Sequence, residues 1–431
     1  MKFALACLCW WPIALFGGEL PPAVLPDGVG VCIHFAQGHQ RDIDLIAAGG
    51  FRFIRTDFIW ESIERQKGQY DWSDYDGLTA DLDRRGVRAM YILDYSNPLY
   101  ENFVAATNPI TGQRDPAALA SPQHPDSVAA FARFAAVAAE HFRGRHIVWE
   151  IWNEPNISFW KPQSNAHQYA DLALATCRAV RAADPDATII GPASSSFPWE
   201  FIETLFRAGA LEYLDAVSVH PYRRGDQSPE TAVVDYERLG KLIDRYAPPA
   251  RRGHIPIISS EWGYSSCTGG VSPEVQAAFL VRQQLANLMN GIPLSIWYDW
   301  KNDGPDPEEN ENNFGSVHTD LSPKPAYQAL TVMTTQLAGF HIERRLSVGS
   351  PADYVLWLKN EQGQTRLAAW TTGKAHEVAL PVNKKKGAVA VVDGDGVVSS
   401  LNIGKGFLNV PVSELPVYVN PAKLKIKDPA P

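Results

Sequence analysis

The chain has 431 residues, more than one ordinary domain holds, and 45% of them are apolar, enough for a large core. Its net charge is −9, with a pI near 5.7. That argues against a nucleic-acid-binding surface, which would need a basic patch.

The N-terminus reads as a signal peptide over residues 1–18. Lys2 is the only charge before Glu19, an apolar run extends from Phe3 to Phe16, and Gly17 and Gly18 offer small residues for cleavage. A secreted or periplasmic protein is expected. The run is short for a bilayer, and no other apolar stretch is long enough, so no membrane span is expected. Cys7 and Cys9 would leave with the peptide. Cys32, Cys177 and Cys267 remain; three thiols cannot all pair within one chain, so disulfides are not the basis of the fold.

From Val29 onward, β-rich runs alternate with amphipathic helical stretches. The predicted strands are Val29–Phe35, Phe51–Phe58, Val87–Tyr95, His146–Trp152, Thr188–Ala193, Asp215–His220, Pro256–Ser260 and Pro293–Tyr298. Gly50, Gly86, Gly144 and Gly291 stand where helices turn back into the next strand. Eight βα units in succession predict an α/β fold, a (β/α)8 TIM barrel over residues 19–339. An open doubly wound sheet is the alternative, but no glycine-rich phosphate loop follows the first strand. The long segment 96–122 after the third strand could wall or open the cleft.

After Gly339 the helices stop. Short strand-like runs at 354–358, 366–371, 376–380, 388–392, 397–403, 407–410 and 416–419 are separated by turn signals. They predict a C-terminal β-sandwich domain over residues 340–420 that supports the barrel, followed by a loose tail at 421–431.

Reactive groups of such a barrel sit at the C-terminal ends of its strands. The fourth predicted strand runs into Trp149-Glu150-Ile151-Trp152-Asn153-Glu154-Pro155-Asn156, and the seventh into Ser259-Ser260-Glu261-Trp262-Gly263. A carboxylate among aromatics at a strand end is expensive unless it is used or paired. Two such groups across a barrel mouth are what glycoside hydrolysis needs, one to give a proton to the leaving oxygen and one to attack the anomeric carbon or activate water. The 13 Trp suit this reading, because flat apolar faces match the C–H faces of sugar rings, although the core claims part of them.

The pairing of Trp-Asn-Glu-Pro-Asn with Ser-Glu-Trp-Gly three strands later resembles the retaining glycosidases of clan A, the 4/7 superfamily, over Val29 to Gly339. Within the clan, the stretch Phe53–Trp60, with Asn313-Phe314-Gly315 and Pro323–Tyr327, is most similar to family 39 and related endo-acting glycosidases of exopolysaccharide breakdown. The resemblance implies that Glu154 is the acid/base and Glu261 the nucleophile. Glu150, four residues before Glu154, is the decoy and is assigned to buried support.

Further roles follow from chemistry. Asn153 can donate to a sugar 2-hydroxyl. Arg55 can hold Glu261 as an anion, and Tyr222 can donate to it. His220 can bond near the acid/base, which is expected beside the apolar Trp152 and Trp160. Trp297 is the expected platform under the sugar, with Trp300 as its substitute, and His34, Asp57, Trp60, Asp94 and Trp262 are expected along the cleft. No cofactor and no metal are expected: the His residues are scattered, and the acidic stretch from Asp306 to Glu311 reads as a solvated loop. The expected partner is a carbohydrate, an oligo- or polysaccharide. The alternatives are a non-catalytic carbohydrate-binding barrel, an inverting hydrolase, and an exo-acting, xylosidase-like β-glycosidase in place of an endo-acting glycanase.

Overall fold

The computed structural model describes residues 19–108, 112–422 and 424–426. The expected signal peptide lies outside the described residues. Eight parallel strands close a barrel: β1 (Val29–Cys32), β2 (Phe53–Ile59), β3 (Arg88–Asp94), β6 (Val148–Ile151), β7 (Thr188–Ser195), β8 (Ala216–His220), β9 (Ile257–Trp262) and β10 (Ser295–Trp297). All eight were expected from the sequence, to within a few residues at their ends. Their unbroken apolar character has a simple cause, since each is buried on both faces. Phe53, Met90, Val148, Ile190, Ala216, Ile258, Leu294 and Ile296 fill the barrel interior with Cys32. The alternate residues, among them Ile54, Tyr91, Trp149, Ile189, Val217 and Trp297, pack in a second apolar layer, the one beneath the surrounding helices. The three described cysteines are free. Among the described residues, no helix is long and apolar enough to cross a membrane.

The long segment after β3 holds two strands that the sequence pattern did not predict. It carries a hairpin of β4 (Phe103–Thr107) and β5 (Arg114–Leu119). Its charged and Pro-containing second strand hides the period-two pattern by which a strand is read.

The C-terminal domain is an antiparallel sheet of eight strands: β11 (Phe340–Arg345), β12 (Asp353–Asn360), β13 (Thr365–Thr371), β14 (His376–Pro381), β15 (Lys386–Val392), β16 (Val398–Gly404), β17 (Phe407–Val412) and β18 (Val417–Asn420). The sheet folds over itself, so that Val355, Leu367, Val378, Val391, Leu408 and Val410 share one core, as in a sandwich. Seven strands match the expected runs. The eighth, β11, has the sequence Phe-His-Ile-Glu-Arg-Arg, too charged to read as a strand. The loose tail is corrected in part. Ile426 bridges Val382, Lys425 O accepts from Asn383 N at 3.1 Å, and Leu424 and Ile426 enter the sheet core. Two apolar side chains fix what composition marked as solvated; residues 427–431 lie outside the described residues.

Barrel and sheet are joined by buried polar chemistry. Glu230, on a short turn after β8, accepts from Arg282 Nε and Nη2, each at 2.7 Å, and from Trp370 Nε1 on β13, also at 2.7 Å. Trp370 stacks on Tyr354, with ring centroids 4.8 Å apart. The Glu230→Ala variant leaves the Arg282 guanidinium, 1% exposed, without its counter-charge. A loss of about 3–5 kcal/mol is expected, read from urea unfolding. A loss below about 1 kcal/mol would show that the pair contributes no more than a surface bridge.

Candidate active site

A cavity of about 580 Å3 opens at the C-terminal end of the barrel and is lined by residues from five strands and the loops after them. On β2, Phe53 points into the barrel, so Arg55 and Asp57 do too, two and four residues on. Arg55 is 2% exposed and spends every nitrogen: Nε donates to Glu150 Oε2 (2.6 Å), Nη1 to Glu261 Oε2 (2.5 Å), and Nη2 to Asn153 Oδ1 (2.9 Å). Burial works to strip its charge, but the carboxylates of Glu150 and Glu261 outweigh it and hold the proton on more firmly than in water. Glu150, wholly buried, is held below the usual carboxylate range by Arg55 against the same burial. Glu150 is thus the internal support that was expected.

Glu261 receives two donors, Arg55 and the hydroxyl of Tyr222, which reaches Oε1 at 2.9 Å. Burial raises the Tyr222 phenol, so it keeps that proton. Glu154 has a different neighbour. His220 Nε2 lies 3.2 Å from Arg55 Nη2, which has only protons to give, so Nε2 accepts. Nδ1 therefore carries the ring proton and donates it to Glu154 Oε1 at 2.9 Å. One oxygen of Glu154, one of Glu261 and a ring nitrogen of His220 lie within 4.8 Å of one another. Trp152 and Glu154 take positive φ, 66° and 46°, and so do Ala193 (51°) in the neighbouring β7 and Ser196 (56°) just after it. Such backbone costs about 1–3 kcal/mol per residue and gathers where a side chain must be aimed. The Glu154 N–H donates to Ala193 O at 3.0 Å, which fixes the aim.

The bulge in β9 matters as much. Between paired positions, β10 advances from Ser295 to Trp297 while β9 advances from Ser259 to Trp262. One extra residue reverses the alternation, so Glu261 faces the cavity and Trp262 faces away. Gly263 follows, and a Cβ there would lie 1.7 Å from the Tyr298 carbonyl oxygen. Only glycine lets the ends of β9 and β10 approach so closely.

The expected site residues divide. Arg55, Asn153, Glu154, Tyr222, Glu261, His34 and Asp57 line the cavity, and His220 lies directly behind Glu154. The four tryptophans do not line it. Trp297 is fully buried, because it alternates with the inward Ile296 and so points toward Tyr264. Trp300 is buried against Phe51 and donates to Asp42. Trp60 donates to Glu64, and Trp262 packs on Tyr264. Asp94 is buried and stands behind the wall, facing Asp57. Trp152 and Trp160 pack on each other, and it is His220 that meets Glu154. Beside Tyr222, the aromatic lining consists of residues that were not expected in the cleft: Tyr95, Phe159, Tyr298 and Phe314. Tyr298 shares the inward parity of Ile296, and that signal was available. Glu311, expected on a solvated loop, also lines the cavity.

At the rim, His34 Nε2 lies 3.3 Å from Asp299 Oδ2. Burial raises the Asp299 carboxyl to about 7, although the bond from His34 pulls it back down. The same bond raises His34. Both groups therefore hold protons more tightly folded than unfolded. Their stabilisation is complete at low pH and is lost as pH rises, from the unfolded carboxylate value of 3.8 through about 7. Asp299→Asn is expected to flatten the fall in unfolding free energy between about pH 4 and about pH 7. Denaturant midpoints across that range check it, and an unchanged slope would count against the pair.

A closed eight-stranded barrel with two glutamates meeting in one mouth, on the fourth and seventh strands, defines a clan A glycoside hydrolase. A family model described as Cellulase (glycosyl hydrolase family 5) matches residues 27–304, and the chain belongs to that family. Among solved structures it is similar to a family 39 glycoside hydrolase from Bacteroides cellulosilyticus WH2, with 26% identity and a TM-score of 0.77 over 93% of this chain and 81% of that one. Among curated proteins it is similar to a β-xylosidase of Geobacillus stearothermophilus, 35% identical over 207 residues, covering 43% of this chain and 40% of the relative. A β-xylosidase of Caldicellulosiruptor saccharolyticus is 24% identical over 236 residues, 51% of this chain and 47% of the relative. The chain thus spans less than half the length of these curated relatives.

Proposed function

We propose that the protein hydrolyses O-glycosidic bonds of an oligo- or polysaccharide by double displacement, with Glu261 as nucleophile and Glu154 as acid/base. The observation that carries the reading is that one carboxyl oxygen of Glu154 lies within 4.8 Å of one of Glu261. Spacings of about 5–5.5 Å accompany retention, whereas inverting enzymes leave about 6.5–9.5 Å for a water. The unequal surroundings support the division of roles. Glu261 meets one cation and one phenol, which suits an anion that attacks carbon. Glu154 accepts from neutral His220 through Oε1, leaving its other oxygen to carry a proton toward the leaving group.

In the first step Glu261 bonds to the anomeric carbon while the glycosidic oxygen departs with the proton of Glu154. In the second, Glu154 takes a proton from water, which displaces Glu261 and restores the anomeric configuration. Asn153 is positioned by Arg55 and Tyr95, its amide donating to the Tyr95 hydroxyl at 3.1 Å. It stands at the wall as the group to meet a sugar hydroxyl. The two curated relatives are named β-xylosidases, which supports an exo-acting, xylosidase-like β-glycosidase as the second reading beside an endo-acting glycanase. The N-terminal apolar run supports secreted or periplasmic action.

Incubation with a panel of β-linked polysaccharides and oligosaccharides, followed by proton NMR of the first-formed anomer, tests the reading. Product of unchanged configuration is expected. Inverted product would refute double displacement, and a single monosaccharide product from every chain length would decide for exo action.

A further inference from the structure

We infer that Asp57 is a sugar-binding residue whose charge restricts the cavity to glycosides without an acidic substituent. This rests on the glycosidase reading above and concerns which sugars that site admits.

The cavity wall is short of usable positive charge. Among the described lining residues, the basic groups are Arg55 and His34. Arg55 has all three nitrogens committed within the protein, and His34 faces Asp299. Against them stand Asp57, Glu154, Glu261 and Glu311 on the wall. A sugar carboxylate or sulfate entering here would lose its water and find no free cation, while meeting several carboxylates at close range.

Asp57 is the acid of this group with the least to do inside the protein. Among the described residues, its carboxyl meets no N–H donor of the chain. It faces Asp94, whose two oxygens are buried and likewise without a donor. Two carboxyls in contact hold one proton between them, and the more buried of the two retains it. Asp94 is wholly buried, and burial first, then the neighbouring Asp57, raises it well above the carboxylate range. Asp94 therefore holds a proton to donate to Asp57, whose carboxyl stands on the cavity wall. A charged acceptor on a cavity wall is met well by sugar hydroxyls, which are strong donors, and badly by a second anion. The class of ligand is thus an uncharged pyranoside, with hydroxyls free to donate.

The test uses the whole protein and matched aryl glycosides that differ only at the terminal carbon: glucoside against glucuronide, and galactoside against galacturonide. For whichever neutral member is turned over, kcat/KM is expected to exceed that of its acidic partner roughly 100-fold or more. Asp57→Asn preserves shape and removes charge. It should lower kcat/KM on the neutral glycoside by about 10–100-fold, and narrow the neutral-to-acidic ratio by roughly tenfold. Asp94→Asn keeps a donor toward Asp57 and should leave that ratio as it is. Thermal melting of each variant confirms folding. Equal turnover of acidic and neutral partners by the wild type would overturn the inference while leaving the glycosidase reading intact. So would an unchanged ratio in a folded Asp57→Asn enzyme, or a larger change in the ratio at Asp94→Asn than at Asp57→Asn. A wild type inactive on every glycoside and oligosaccharide would overturn both.

Discussion

Glu261→Gln is expected to fold as the wild type does and to lose turnover by about ten-thousand-fold or more. The amide is nearly the same shape. Its oxygen can still accept from Arg55 Nη1, and its nitrogen can donate to the Tyr222 hydroxyl in place of accepting from it. What disappears is the anion that bonds to the anomeric carbon. Steady-state turnover of an activated aryl glycoside, together with a melting curve, checks both halves. A folded variant with more than about a tenth of wild-type kcat would remove Glu261 from the role.

The second large effect separates Glu154 from its neighbours by rescue. In Glu154→Ala the proton donor is gone, but a good aryl leaving group needs little protonation, so Glu261 can still form the glycosyl intermediate. No base remains to activate water, and the intermediate should accumulate, visible as a burst of released phenol followed by a slow phase. Azide is small and nucleophilic without deprotonation, so it should restore turnover and yield a glycosyl azide of retained configuration. His220 stays in place beside the space left by the carboxyl, and its Nδ1 proton gives the azide a partner there. Glu150→Ala should show no rescue, since Glu150 lies beneath the cavity and meets Arg55. Azide product of inverted configuration would mean single displacement.

Most of the polar site could be read from the chain because strand position carries it. Arg55, Asn153, Glu154, Tyr222 and Glu261 stand at the ends of apolar runs, and the barrel brings all such ends to one mouth. The aromatic lining could not be read by residue type. Trp297, Trp300, Trp262 and Trp60 look like sugar platforms on paper, but their faces are settled by alternation and by a bulge. Counting in twos from Ile296 selects Tyr298 over Trp297. On β9 the same count fails, since the extra residue before Trp262 is visible only once β10 is laid beside it. Phe159 and Phe314 come from irregular loops, whose paths no local pattern fixes. In the C-terminal domain the strands were legible from turn spacing. The bond from Trp370 to Glu230 was not, because the partners are 140 residues apart.

The hub formed by Arg55 has an electrostatic meaning for the reaction path. In the resting site one guanidinium faces two carboxylates, Glu150 and Glu261, an excess of one negative charge in a region nearly closed to solvent. In the proposed double displacement, bonding of Glu261 to a sugar turns that carboxylate into a neutral ester. What remains beneath the glycosyl group is a balanced ion pair, Arg55 with Glu150. In the same step Glu154 gives its proton to the leaving oxygen, so the excess charge passes from the Arg55 hub to Glu154. Glu150 would then set the relative depth of the two wells on the pathway, lifting the free enzyme and lowering the ester, without ever approaching the substrate.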